Sequence, residues 1–200
     1  MWIKICGMTT VAAVEAAVEA RVEAIGFVFA RSVRELAPER AAVLARPARG
    51  RVRCVAVTRH PTQASVDEIM RVFAPDILQS DAEDLAQLRL PAALEALPVL
   101  REGGAVALPA RILFEGPASG SGTVSDWGVA AGLARRTQLV LAGGLNAVNV
   151  AAAIAQVQPF GVDVSSGVEE RPGVKSPSAI MSFVAAVRAA DAVSSSSMGE

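Results

Sequence analysis

Histidine and cysteine are nearly absent from this chain, which has one His, at 60, and two Cys, at 6 and 54. A disulfide framework or a zinc site needs more such residues at closer spacing. Cys6 and Cys54 therefore read as free thiols, and no metal is expected. His60 has no companion ligand along the sequence and, beside Pro61 in a polar stretch, reads as a solvated side chain without a role. An excess of either charge is missing too. With 19 basic against 20 acidic residues the net charge is −1, which offers neither a polyanion-binding surface nor an electrostatic membrane anchor. No nucleic acid and no membrane partner is expected. No apolar run approaches the roughly 18 residues that span a bilayer, and Trp2-Ile3-Lys4-Ile5-Cys6 starts without the layout of a signal peptide. These absences point to a cytoplasmic enzyme with a small-molecule partner.

What is present is apolar sequence in a regular rhythm. Hydrophobic residues make up 52% of 200, enough for one full core in one domain. Short apolar runs alternate with alanine-rich amphipathic stretches, the pattern of repeated β-α units around a parallel sheet. Eight strands are predicted: Trp2 to Cys6, Ala24 to Phe29, Val52 to Val57, Asp76 to Gln79, Pro98 to Leu100, Arg111 to Phe114, Gln138 to Ala142 and Gly161 to Val164. Thr10 is the expected cap of a helix whose Val11, Val14 and Val18 share a face, and Asn146 that of a helix over Val150 to Val157. Ser176 and Pro177 open a last helix carrying the stripe Ile180, Phe183, Val184 and Val187. Between Arg101 and Ala110, Gly103, Gly104 and Pro109 leave little room for a fifth helix, so a loop is predicted there. The domain is expected over residues 1–192, with 193–200, lacking periodicity, as a disordered tail.

An open doubly wound sheet shows the same alternation. It would carry a G-x-G-x-x-G turn after its first strand, whereas Cys6 is followed by Gly7 alone. The glycine-rich turns come after strand seven, at Gly143-Gly144, and after strand eight, at Ser165-Ser166-Gly167, where barrels build phosphate sites from backbone N–H groups. The expected fold is a (β/α)₈ barrel that binds a phosphate ester through these residues.

Barrel chemistry gathers where strands end. Lys4 and Cys6 alternate onto one face of their strand, and an ammonium beside a thiol lowers the thiol pKa, so Cys6 is a candidate thiolate base; a lone strand cysteine also fits as a small buried hydrophobe, the reading given to Cys54. Glu115 overhangs the mouth after Ile112-Leu113-Phe114, where partial desolvation favours a proton-donating carboxyl; the alternative is a solvated loop charge. Arg34 has a fork suited to a substrate carboxylate, against the reading of an ordinary surface arginine. Asp163 lies inside the apolar strand Phe160 to Val164, where a carboxylate is expensive unless paired or used.

Taken in order, these motifs resemble the phosphoribosylanthranilate isomerase family. Lys4-Ile5-Cys6-Gly7-Met8-Thr9, Gly26-Phe27-Val28-Phe29 with Ser32 and Arg34, Gly143-Gly144-Leu145-Asn146, and Gly161 to Glu169 with Pro172-Gly173 and Lys175 carry the likeness over roughly Trp2 to Ala189. The resemblance implies a cofactor-free Amadori rearrangement of phosphoribosylanthranilate, a step of tryptophan biosynthesis. It further implies Cys6 as base, Glu115 as acid, Arg34 at the anthranilate carboxylate, Asp163 near the reacting carbons, Lys4 at the substrate and the glycine turns around the phosphate. Two departures stand out: Glu115 where many members carry aspartate, and Gln79-Ser80-Asp81-Ala82 where Gln-Leu-His-Gly is usual. The rival readings are the related histidine-pathway or bifunctional isomerase, whose first-strand base is aspartate, and a non-catalytic phosphosugar-binding barrel. The chain is expected to be a monomer, with a homodimer as the alternative.

Overall fold

The computed structural model describes residues 1–101, 108–116 and 124–197. Eight parallel strands close into a barrel in sequence order: β1 (Trp2–Cys6), β2 (Ala24–Val28), β3 (Arg53–Val57), β4 (Ile77–Asp81), β5 (Glu95–Arg101), β6 (Arg111–Glu115), β7 (Gln138–Leu141) and β8 (Gly161–Val164). Closure is made by β1 pairing with β8, with Lys4 opposite Asp163. All eight predicted strands are present, each within a few residues of its expected bounds. Strand alternation divides the core. Ile3, Ile5, Ile25, Phe27, Ile112 and Phe114 face the helices, while Trp2, Ala24, Val55, Ile77, Leu97, Leu113 and Val140 fill the barrel interior.

The helices are α1 (Val11–Glu19), α2 (Pro38–Leu44), α3 (Gln63–Val72), α4 (Ala82–Leu85), α5 (Trp127–Ala134), α6 (Val150–Val157) and α7 (Pro177–Ser197). The side chain of Thr10 accepts from the Ala13 N–H as expected. At α6 the N-cap is Asn149 rather than Asn146; Asn146 instead accepts from the backbone N–H groups of Val148 and Asn149, bracing the turn before the helix. Ser176 accepts from Ala179, and Ile180, Phe183, Val184 and Val187 are buried against the barrel. Reduction of the outer layer reaches further than expected, because α4 is itself a single turn. No helix lies between β5 and β6 among the described residues; Gly103 and Gly104 fall outside them. Helix α7 continues to Ser197, past the expected end at Ala192. Serines give no apolar periodicity, yet each residue added to an existing helix gains a backbone hydrogen bond. Residues 198–200 lie outside the described part. Among the described residues, no helix is long and apolar enough to cross a membrane.

Candidate active site

Polar residues gather among the interior-facing positions at the C-terminal ends of the strands. Cys6, Arg34, Gln79, Asp81, Arg101, Glu115, Asp163 and Ser165 line one cavity of about 170 Å³. A larger hollow of about 660 Å³ opens at the opposite mouth, lined by the strand starts, including Trp2, Arg53 and Arg111. It holds no thiol and none of the candidate residues, which all gather at the smaller cavity or beside it, the candidate site.

Three charged or ionisable groups meet at β1 and β8. Lys4, fully buried, donates to Asp163 Oδ1 at 2.9 Å. Burial opposes the charge on Lys4, but Asp163 and the neighbouring Cys6 together outweigh it and raise its pKa. Room for these side chains comes from Gly26 on the neighbouring strand, where a Cβ would stand 3.0 Å from Cys6 Sγ and 3.3 Å from Lys4 Cε. The thiol itself corrects one expectation. Lys4 and Lys175 pull the Cys6 pKa down, but burial, the largest influence, and the Asp163 charge push it up, and the net result is above the ordinary thiol value. Cys54 faces the helix layer, where burial raises its thiol to about 11, consistent with a packing role.

A second cluster surrounds Arg34. Its Nε and Nη2 donate to Glu169 Oε1 and Oε2 at 2.6 and 2.9 Å. Glu169 Oε1 also receives Lys175 Nζ at 2.5 Å, and Lys175 reaches Ser165 Oγ at 3.2 Å. Ser165 in turn donates to the Cys6 carbonyl oxygen at 3.1 Å. The hydroxyl expected at a phosphate is thus engaged with the backbone of the candidate base, and the fork expected to meet a ligand already holds a protein carboxylate on one edge. Burial would raise the Glu169 carboxyl, but the hydrogen bonds and charges of Arg34 and Lys175 bring it down to about 2. Burial lowers the pKa of Lys175 despite its carboxylate partner. Glu169 and Lys175 sit on β9 (Glu169–Arg171) and β10 (Val174–Lys175), a two-stranded hairpin after β8.

The third cluster spans β4 to β6. Arg101 Nη1 donates to Glu115 Oε1 at 2.6 Å and Nη2 to Asp81 Oδ1 at 2.8 Å. Glu115 is therefore an ion-paired rim carboxylate rather than a group held apart by desolvation alone. Near it, Gln79 is buried and its Oε1 has no partner among the described residues, a costly state for an amide unless a ligand supplies a donor. His60 does have neighbours that sequence spacing hides: its Nδ1 lies 3.1 Å from Asp84 Oδ1, and possible ligand atoms of His60, Asp81 and Asp84 lie within 4.8 Å of one another. Those carboxylates already accept from Arg101, Ser80 and the His60 backbone.

The two glycine turns lie side by side. Gly143 and Gly144 have φ of +90° and +64°, the left-handed region that glycine tolerates. A Cβ on Gly167 would stand 1.9 Å from the Leu145 carbonyl oxygen, so the turn after β8 touches the loop after β7 only because that residue is glycine. Ser166 begins the 3₁₀ turn Ser166–Val168 behind it.

The structure brings the predicted Cys6, Lys4, Arg34, Asp163, Glu115 and Ser165 together around this end of the barrel; sequence reasoning names Arg101 only where the predicted loop begins, and quotes Gln79, Asp81, Glu169 and Lys175 within motifs without giving them a role. For Arg101, Asp81 and Gln79 the signal was available, since each is a polar residue on the inward alternation of an apolar strand. For Glu169 and Lys175 the motif gives their presence but not their pairing, because their burial depends on a hairpin folding back over the rim.

Comparison with known proteins fits this geometry. The family model for N-(5'phosphoribosyl)anthranilate (PRA) isomerase matches residues 3–186. A protein of Azorhizobium caulinodans named N-(5'-phosphoribosyl)anthranilate isomerase is 39% identical over 213 residues, covering 96% of this chain and 93% of that one. The crystal structure of TrpF from Jonesia denitrificans superposes with a TM-score of 0.81 at 32% identity, covering 96% of this chain and 98% of that one. A phosphoribosyl anthranilate isomerase in complex with reduced 1-(o-carboxyphenylamino)-1-deoxyribulose 5-phosphate superposes with a TM-score of 0.79 at 26% identity, covering 94% and 99%.

Proposed function

Since the chain belongs to the N-(5'-phosphoribosyl)anthranilate isomerase family and is an isomerase of tryptophan biosynthesis, we propose that its rearrangement runs on Cys6 as general base and Glu115 as general acid. The observation that carries this reading is the placement of both groups, with Asp163 and Arg34, around one cavity at the C-terminal mouth. The substrate is a phosphorylated ribosyl anthranilate, and the proposed product is 1-(2-carboxyphenylamino)-1-deoxyribulose 5-phosphate.

In the proposed sequence Glu115 delivers its proton to the furanose ring oxygen as the bond from that oxygen to C1′ breaks. The anilino nitrogen supplies the electron pair, giving an open-chain iminium ion. Cys6 thiolate then takes the proton from C2′, and the C–H electron pair neutralises the iminium to form an enolamine. Protonation at C1′ and loss of the proton from the C2′ hydroxyl give the ketone, with no electron gained or lost and no cofactor required. Lys4 keeps a positive charge beside the base, and Asp163, held by Lys4, faces the same carbons. Glu169 occupies the Nε edge of Arg34, which leaves the outer edge of the guanidinium to meet the anthranilate carboxylate.

The phosphate falls to the paired turns Gly143-Gly144 and Ser165-Ser166-Gly167, whose backbone N–H groups suit an anion. Gly167→Ala tests that assignment. Because the added methyl meets backbone, the variant should lose about 1–3 kcal/mol of stability and bind inorganic phosphate more weakly. Thermal melts and a phosphate titration check both, and unchanged phosphate affinity would remove the turn from the site.

Glu115→Gln keeps the bond-forming shape but cannot donate the acidic proton. Its kcat should fall by about 100-fold with KM changed far less, measured with phosphoribosylanthranilate in a purified assay. Equal kcat for the two proteins would dismiss Glu115 as the acid. The remaining parts of the reading are a catalytic domain of residues 1–192 working as a monomer in the cytoplasm, with neither nucleic acid nor metal. Sedimentation at working concentration tests the monomer, and rescue of a tryptophan auxotroph lacking only this isomerase tests substrate and reaction together.

A further inference from the structure

We propose that Arg101 is a positioning residue, which holds the Glu115 carboxyl group in its working orientation by anchoring it to Asp81. The inference rests on the reading of Glu115 as the acid and adds to it the device that aims that acid.

Glu115 is the last residue of β6 and Arg101 the last of β5, directly opposite each other in register. Asp81 ends β4 on the other side of Arg101. The three side chains point into the same cavity, and one guanidinium spans three strand ends through Nη1 to Glu115 and Nη2 to Asp81, at 2.6 and 2.8 Å. Side-chain exposure is 24% for Arg101, 19% for Asp81 and 13% for Glu115, so water screens these bonds only in part.

A glutamate side chain turns about three bonds, and a proton transfer needs its oxygen within hydrogen-bond reach of the acceptor. A partner that itself swings would not fix it. Asp81 supplies the second anchor: with Nη2 held, the planar guanidinium presents Nη1 to Glu115 from a set direction. Burial disfavours the charge on Arg101, but Glu115 and Asp81 more than restore it, so the clamp stays charged.

The test is a double-mutant cycle with phosphoribosylanthranilate. Arg101→Met should lower kcat by about 10- to 100-fold, the scale of a misplaced catalytic group, with KM within about threefold. In a Glu115→Gln background the same substitution should change kcat by less than about threefold, because nothing remains to be aimed. Arg101→Lys, which preserves charge and fold, should recover part of the loss, and Asp81→Asn should cost kcat only while Arg101 is present. Full activity of Arg101→Met, or an equal loss in both backgrounds, overturns the proposal; a loss confined to KM assigns Arg101 to substrate binding and overturns it as well. Glu115→Gln with undiminished kcat instead overturns the acid assignment, and this proposal with it, which separates the two failures.

Discussion

Cys6→Ser is expected to lower kcat by about a thousandfold, with KM and thermal stability nearly unchanged. General acid–base groups contribute roughly 10²–10⁴ in rate, and serine, of similar size, fits the space that Gly26 leaves while offering a far weaker base. Buried position raises the Cys6 pKa above its ordinary value, and Asp163 adds to that rise, while Lys4 and Lys175 oppose it. The thiolate is therefore the minor form near neutral pH. The sign of the pH dependence follows: below the thiol pKa the basic fraction grows with pH, so kcat/KM should climb on its alkaline-going limb, by up to about tenfold per pH unit. Lys4→Met removes the adjacent ammonium and should push that limb to still higher pH. A wild-type profile flat between about pH 6 and 9, or a serine variant with substantial turnover, would sink the thiolate mechanism.

Cys6 also shows where sequence reasoning reaches and where it stops. Its strand, its inward direction and its neighbour Lys4 follow from alternation alone, as do all eight strands, because a parallel barrel leaves a strict pattern of apolar runs. The sign of its pKa did not follow, since that depends on how completely the thiol is withdrawn from water relative to two ammonium groups, one of which arrives from the distant hairpin residue Lys175. Glu115 repeats the lesson. Its place at the rim was legible, but its partner Arg101 belongs to the region where glycines and proline blurred the fifth β-α unit, and Asp81 looked only like a departure from a familiar motif. Asn146 was expected to cap α6, yet the cap is Asn149 and Asn146 braces the preceding turn, because local side-chain bonds shift a helix start by a few residues without changing the pattern. What was missed is mostly pairing between segments far apart in the chain, which no spacing rule encodes.

A buried pairing of consequence for stability is at Glu169, and Glu169→Gln is expected to destabilise the protein by about 3–5 kcal/mol, the scale for breaking a buried ion pair from one side. The carboxylate accepts three bonds, two from Arg34 and one from Lys175, and Lys175 is fully buried as a side chain. Without the carboxylate, that ammonium would stand in the interior with only Ser165 to bond. The pH dependence has a definite sign. Folding takes the Glu169 pKa from the ordinary 4.5 to about 2, so its stabilisation is complete above about pH 5 and fades as pH falls towards 2. The linkage is worth at most about 3 kcal/mol. Glutamine has nothing to titrate, so the variant should begin less stable at neutral pH yet lose less between pH 5 and 3, and the two curves from denaturant titrations should converge. Parallel curves would show that Glu169 is not the group that titrates. The same substitution should raise KM more than it lowers kcat, because Arg34 loses the brace that points its outer edge at the substrate carboxylate, while Glu115 and its clamp on the far side of the barrel are untouched.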